Sequence, residues 1–249
     1  MKVICVSSFD ELKKIANNFS CDAGNEVLYR GTSNSLVPSI IEKYPSNSYS
    51  DLIDKEHLLL SDFKKYSNIK YMSSETKALD WEIRIAAREH GLLSSLMDWS
   101  NSLNAAIEFA IYNFEAKKID FTSLWILNTV DLPRIEIGVN KVSKEFGKIF
   151  DPTIVQLTVY DEESFLRRKF VQGGFFLKQS YQNIHTSLEY NPILSDKLVH
   201  LIIPSDIVPS LREKRASEVN IDLNLMATFN NPTAEALDSI CNELNKKYL

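Results

Sequence analysis

The sequence predicts an α+β protein, a helical N-terminal half packed on a mostly antiparallel sheet drawn from the second half. Three observations predict it. Capping signals and helix-spaced apolar residues fill the chain up to Glu115. Runs rich in branched and aromatic residues follow from Phe121 onward. The two kinds of segment are segregated rather than alternating, which argues against a regular βαβ repeat.

The elements read in order as follows. Ser8 with Glu11 three residues later is a capping-box pattern opening a helix from Phe9 to about Phe19. Glu26 to Arg30 reads as a strand ending at Gly31, and Leu36 to Ile41 as a short apolar segment interrupted by Pro38. Asp51 to Tyr66 has helical spacing, with Leu52, Glu56, Leu59 and Phe63 on one face. A helix opened by Ser73-Ser74-Glu75 runs toward His90, with Gly91 as its stop. Leu92 to Trp99 reads as an apolar connection. Ser100 or Ser102 then caps a helix from Leu103 to about Glu115. Phe121–Asn128, Thr153–Tyr160, Gly174–Gln179 and Leu198–Ile203 read as strands. Asn140–Gly147 and Asp161–Val171 read as short helices between them, and Thr233–Tyr248 as a terminal helix. No repeat or long linker divides the chain, so the expectation is a single domain over 1–249, its core at about 20–230.

Composition narrows the function. The chain has 249 residues, enough for a full core without disulfides or metals. Its 28 basic and 33 acidic side chains give a formal net charge of -5, which offers no general attraction to nucleic acid or an anionic membrane. Cys5, Cys21 and Cys241 are few, odd in number and widely spaced, so neither a disulfide framework nor a structural zinc site is expected. With no membrane-length apolar run and no signal-peptide core, the expected compartment is the cytoplasm. No metal is expected. The sequence contains no phosphate-binding Walker loop, dinucleotide glycine motif, serine-esterase elbow or zinc-protease pair.

Four ordered blocks carry a family resemblance: Leu28-Tyr29-Arg30-Gly31 with Leu36 to Ile40; Glu56, Leu59 and Phe63; Ala86 to Ala110; and Arg168, Gln172, Gly174 and Phe176. Together they resemble the bacterial FRG domain, named for a Phe-Arg-Gly tripeptide that here is Tyr-Arg-Gly. Within the long block, Gly91, Leu92, Leu96, Asp98, Trp99, Ala106, Phe109 and Ala110 match the family pattern. Arg88 and Glu89 stand where that pattern has Gln and His, Leu93 and Leu103 replace prolines, and Ser95 replaces an arginine. The tripeptide also resembles the first motif of arginine-type ADP-ribosyltransferases, α+β enzymes with a split sheet. That resemblance implies an ADP-ribosyltransferase or NAD glycohydrolase, in the setting of a toxin, effector or phage-defence protein. The alternative is a non-catalytic module that binds a nucleotide or a protein partner.

The candidate residues follow. Arg30, at a strand end beside Gly31, can grip phosphate or carboxylate in a bidentate contact, or it can lock the core by pairing with Asp98. Gly31 permits close backbone approach, and Tyr29 precedes it. The chemistry implied by the resemblance needs a hydroxyl, for which Ser94, Ser95 or Ser100 are available, and a carboxylate that steadies an oxocarbenium-like transition state. Gln172 stands where that carboxylate would fall, and Glu89, Glu108 and Glu163 are the substitutes, none selected by spacing. His90 reads as a general base or as a helix-end residue. Asp98 reads as a ligand contact or a local cap, and Trp99 as a stacking platform or a packed turn. Arg168 and Gln172 share a helical face if helical, with Gly173-Gly174 behind them. NAD is the implied substrate or ligand.

Overall fold

The computed structural model describes residues 1–24, 26–32, 36–69, 76–117, 120–138, 141–142, 149, 151–157, 174–218 and 232–248. The α+β expectation holds. Contacts divide the chain into two compact units, the first formed by residues 1–36, 98–132 and 186–222, the second by 37–97, 133–185 and 223–249.

The first unit holds β1 (Lys2–Cys5), α1 (Phe9–Asp22), β2 (Val27–Thr32), residues 98–100 of β3 (Leu96–Ser100), α5 (Leu103–Lys117), β4 (Phe121–Asn128), β9 (Leu198–Pro204) and α6 (Val208–Glu218). Its strands run in the order β1-β9-β4-β2-β3. Only β1 and β9 pair in parallel; the other neighbours are antiparallel. Alternation along each strand decides the core. Val27 and Tyr29 of β2, Leu124 and Ile126 of β4, and Val199, Leu201 and Ile203 of β9 all pack with Leu12 and Ala16 of α1 and with Ala106, Ile107 and Ala110 of α5.

The second unit holds α2 (Ser39–Lys43), α3 (Tyr49–Tyr66), α4 (Thr76–Glu89), β5 (Arg134–Gly138), β6 (Lys141–Val142), β7 (Thr153–Leu157), β8 (Gly174–Lys178) and α7 (Pro232–Lys247). Its strands run β8-β7-β5-β6, with β5 and β7 parallel and the other pairs antiparallel. The core joins Leu59 and Phe63 of α3, Trp81 and Ile85 of α4, Val155, Phe176, and Leu237, Cys241 and Leu244 of α7.

The capping signals behave as the sequence indicates, with one exchange of partners. The Ser8 hydroxyl accepts the Glu11 amide, but the Glu11 carboxylate takes the amide and hydroxyl of Ser7. Ser48 and Asp51 form a reciprocal box at the start of α3, so that helix begins at Tyr49 rather than Asp51. Gly91 has φ +85 and stops α4.

Four expectations need correction. Leu96–Ser100 is a strand, where the sequence suggested only a connection. Residues 39–43 are a short helix, because Pro38 fits the N-cap position and does not interrupt the segment. Lys141–Val142 pairs with β5, so the expected helix from Asn140 does not form there, and the rest of that range lies largely outside the described residues. Strands β1, β2 and β3 place part of the sheet in the first half of the chain. The expected helix over 161–171 falls outside the described residues. Among the described residues, no helix is long and apolar enough to cross a membrane, and no group of His, Cys, Asp and Glu could hold a metal ion.

Candidate functional site

The Tyr-Arg-Gly tripeptide divides by strand alternation. Tyr29 and Gly31 face the helix-packed side, and Arg30 faces the opposite side. Gly31 is explained by α5. A Cβ at that position would lie 1.8 Å from the Ala106 carbonyl oxygen and 2.5 Å from the Ala110 amide. Two blocks of the sequence pattern, the glycine after the arginine and the alanines of Ala106-x-x-Phe109-Ala110, are thus the two sides of one contact between β2 and α5. Tyr29 is buried in the same core, and burial pushes its hydroxyl pKa up.

Arg30 stands in a row across four strands. It is paired in register with Trp125 of β4, which is paired with His200 of β9. On its other side, Tyr29 faces Ser100, which sets Trp99 beside Arg30 on the same face. Neighbouring strands lie about 4.8 Å apart, so side chains in such a row reach one another. Arg30 Nη1 donates to the Asp98 backbone carbonyl at 2.5 Å. Trp99 and Trp125 are buried, whereas Arg30 and His200 are half-buried. The Nε1–H groups of both indoles are buried without a hydrogen-bond acceptor among the described residues. Trp99, Arg30 and Trp125 are all donor-only side chains.

A second constellation lies wholly inside the second unit. Glu56 of α3 is 1% exposed. Its Oε1 accepts from the Ser94 hydroxyl at 3.0 Å, the Ser95 amide at 2.7 Å and the Ser95 hydroxyl at 2.9 Å. Its Oε2 accepts from the Ser95 hydroxyl at 2.9 Å and from the Tyr181 hydroxyl. Arg84 Nη1 is 3.6 Å from Oε2, an ion pair beyond hydrogen-bond length, while Arg84 Nε bonds Asp80 at 3.0 Å. Lys178 is buried, donates to the Gln179 carbonyl, and lies 4.1 Å above the Tyr181 ring centre. Burial alone would raise the Glu56 pKa, but Arg84 and Lys178, with the Ser95 amide and Tyr181 hydroxyl, outweigh it and hold the carboxyl below its ordinary value. Burial pulls Lys178 down to about 8 against the attraction of Glu56. Burial and then Glu56 push the Tyr181 hydroxyl up.

The sequence-derived candidates distribute as follows. Arg30, Asp98 and Trp99 come together in the first unit, where the Arg30 guanidinium donates to the Asp98 backbone carbonyl. Ser95 lies in the second unit and is occupied by Glu56. Glu89 is half-buried at the last turn of α4. His90 is 5% exposed, and its Nδ1 lies 2.8 Å from the Asp238 carboxylate, so it ties α4 to α7. Gln172 and Arg168 fall outside the described residues. Glu56 was not a candidate, although a signal existed: it is the one carboxylate on the otherwise apolar stripe Leu52, Leu59 and Phe63. Trp125 and His200 carried no motif; only register reveals them.

A family model described as the FRG domain matches residues 25–118. No curated protein and no solved structure matches the chain.

Proposed function

Because the chain carries an FRG domain over residues 25–118, we propose that its first unit recognises a phosphate-bearing ligand of the nucleotide class, NAD being the candidate, through Arg30. The observation that carries this reading is the donor row. A half-exposed guanidinium stands between two indoles whose N–H groups have no acceptor among the described residues. A buried donor left without an acceptor costs about 1–3 kcal/mol, and a bound anion would relieve it. The flanking indoles also lower the local dielectric, which strengthens any ion pair that Arg30 makes. The experiment is thermal unfolding with NAD, ADP and pyrophosphate on the wild type and on Arg30→Lys. A ligand of the folded state raises the melting temperature by linkage. The wild type should rise with at least one of the three, and the lysine variant, lacking the planar fork, should rise less from its own baseline. No rise with any of them removes the reading.

A second reading, ADP-ribosyl transfer or NAD glycohydrolysis, is favoured by one specific observation. The chemistry needs a hydroxyl and a carboxylate together, and the Ser95–Glu56 pair supplies both. Arg84 and Lys178 keep that carboxylate ionised. Released nicotinamide, lost in Glu56→Gln while circular dichroism shows that variant still folded, would establish it. An inactive wild type that still binds NAD would leave the binding module as the function.

A further inference from the structure

The face that carries Arg30 also holds a hydroxyl and an imidazole that the nucleotide reading does not use. Ser123 of β4 lies two positions from Trp125, on the same face, opposite Thr32 and Ile202. His200 Nε2 is 2.8 Å from Ser123 Oγ. The imidazole lies flat on the Trp125 indole, with ring centres 3.9 Å apart and planes 4° from parallel. The ring therefore has one orientation, with Nε2 directed at the serine. Glu189, on the turn at Leu188–Tyr190, acts on His200 electrostatically and accepts from the Ser187 hydroxyl. Burial lowers the His200 pKa and Glu189 opposes it, so the ring is neutral near pH 7, the state a proton acceptor needs.

We propose that Ser123 and His200 form a nucleophile–base dyad that cleaves an ester bearing an anionic group, with Arg30 holding the anion. The role given to Arg30 rests on the anion-binding reading above; the dyad itself does not. Ser123 Oγ attacks the acyl carbon as its proton passes to His200 Nε2. The acyl–oxygen bond of the ester breaks, and the imidazolium gives that proton to the departing alkoxide. A water then attacks the acyl-serine with His200 again as base, which releases the acid and restores Ser123. Arg30 of β2 is the diagonal neighbour of Ser123 on β4, at the roughly 7–8 Å of such pairs, so an anionic group two or three bonds from the ester carbonyl spans the gap. Ser123 is 4% exposed, whereas the His200 ring bonded to it and Arg30 are half-buried.

The test uses the full chain and a fluorophosphonate, which labels only activated serines. Peptide mass mapping should place the label on Ser123. His200→Gln, which retains a hydrogen-bonding side chain, should cut the labelling rate more than 10-fold, and Ser123→Ala should abolish it. Both variants are checked for wild-type circular dichroism. In Arg30→Lys, KM for a carboxylate-bearing 4-nitrophenyl monoester should rise by a larger factor than KM for 4-nitrophenyl acetate. A folded wild type without label at Ser123, or label that persists at the same rate in His200→Gln, overturns the dyad. The same factor of change in KM for both esters between the wild type and Arg30→Lys overturns only the anion contact.

Discussion

Replacing Gly31 by alanine isolates the contact that joins the tripeptide to the Ala106–Ala110 block. Gly31 has no positive φ, so the substitution carries no backbone penalty and its cost is steric. The new methyl would sit 1.8 Å from the Ala106 oxygen, and real Cβ contacts essentially never fall under 3.0 Å, so α5 must lift by about 1.2 Å (3.0 − 1.8). The obstacle is helix backbone, which cannot swing aside as a side chain does. The lift would loosen Ala106, Ile107 and Ala110, each no more than 1% exposed. Overpacking ordinarily costs 1–3 kcal/mol, and a backbone obstacle places this case at about 3 kcal/mol or beyond. For a protein of this length that is a fall of about 6–12 °C in melting temperature. Gly91→Ala is the matched control. Nothing lies within 4 Å of its Cβ position, but its φ is +85, so its cost is conformational and of order 1–2 kcal/mol. Calorimetry or circular dichroism melting on both variants reads the difference. Gly31→Ala melting within 1 °C of wild type would refute the packing argument, and would return the glycine to the ligand-approach role.

The remaining predictions concern the second unit and its buried charges. Glu56→Gln keeps the shape but removes the buried negative charge that faces Arg84 and Lys178, and urea unfolding should show a loss of about 3–5 kcal/mol. Tyr181→Phe removes one donor to Glu56 and should cost about 1–3 kcal/mol in the same assay. Lys178 is held down at about 8 against an ordinary 10.5, so the unfolded chain binds more protons between those values. Its contribution to stability therefore rises with pH from about 8 to about 10.5, by roughly 3 kcal/mol in all, and Lys178→Met should flatten that rise. Asp238→Asn weakens the contact between His90 and α7, and should speed amide exchange in Pro232–Lys247 before it changes exchange in α3.

The class of fold was legible because periodicity and capping are local: α1, α3, α4, α5 and α7 stand within a few residues of where their patterns place them. Strand β4 was bounded correctly by its own composition. Strands β1, β3 and β5 were not found, since each is short, and β1 and β3 acquire their identity from partners far along the chain, as β1 does from β9. The site divides in the same way. Arg30 announced itself by motif, yet its neighbours Trp125 and His200 are set by register with strands about 95 and 170 residues away, which no spacing in the sequence encodes. Glu56 was visible as a charge on an apolar stripe, but the Ser94 and Ser95 groups that satisfy it lie about 40 residues downstream and the Tyr181 hydroxyl 125. Position 95 is instructive. The family pattern has an arginine there; this chain has a serine that bonds Glu56, and Arg84 and Lys178 supply the positive charge that faces the carboxylate.

The most direct test of anion recognition by Arg30 is a calorimetric titration of the full chain with NAD, repeated with Arg30→Ala after its fold is verified by circular dichroism. Saturable heat in the wild type that disappears in the variant, and that weakens as salt is raised, is the predicted result. Absence of heat with NAD, ADP and pyrophosphate alike, or an isotherm unchanged by the loss of the guanidinium, would contradict it and leave Arg30 as the residue that fastens β2 to the Asp98 carbonyl.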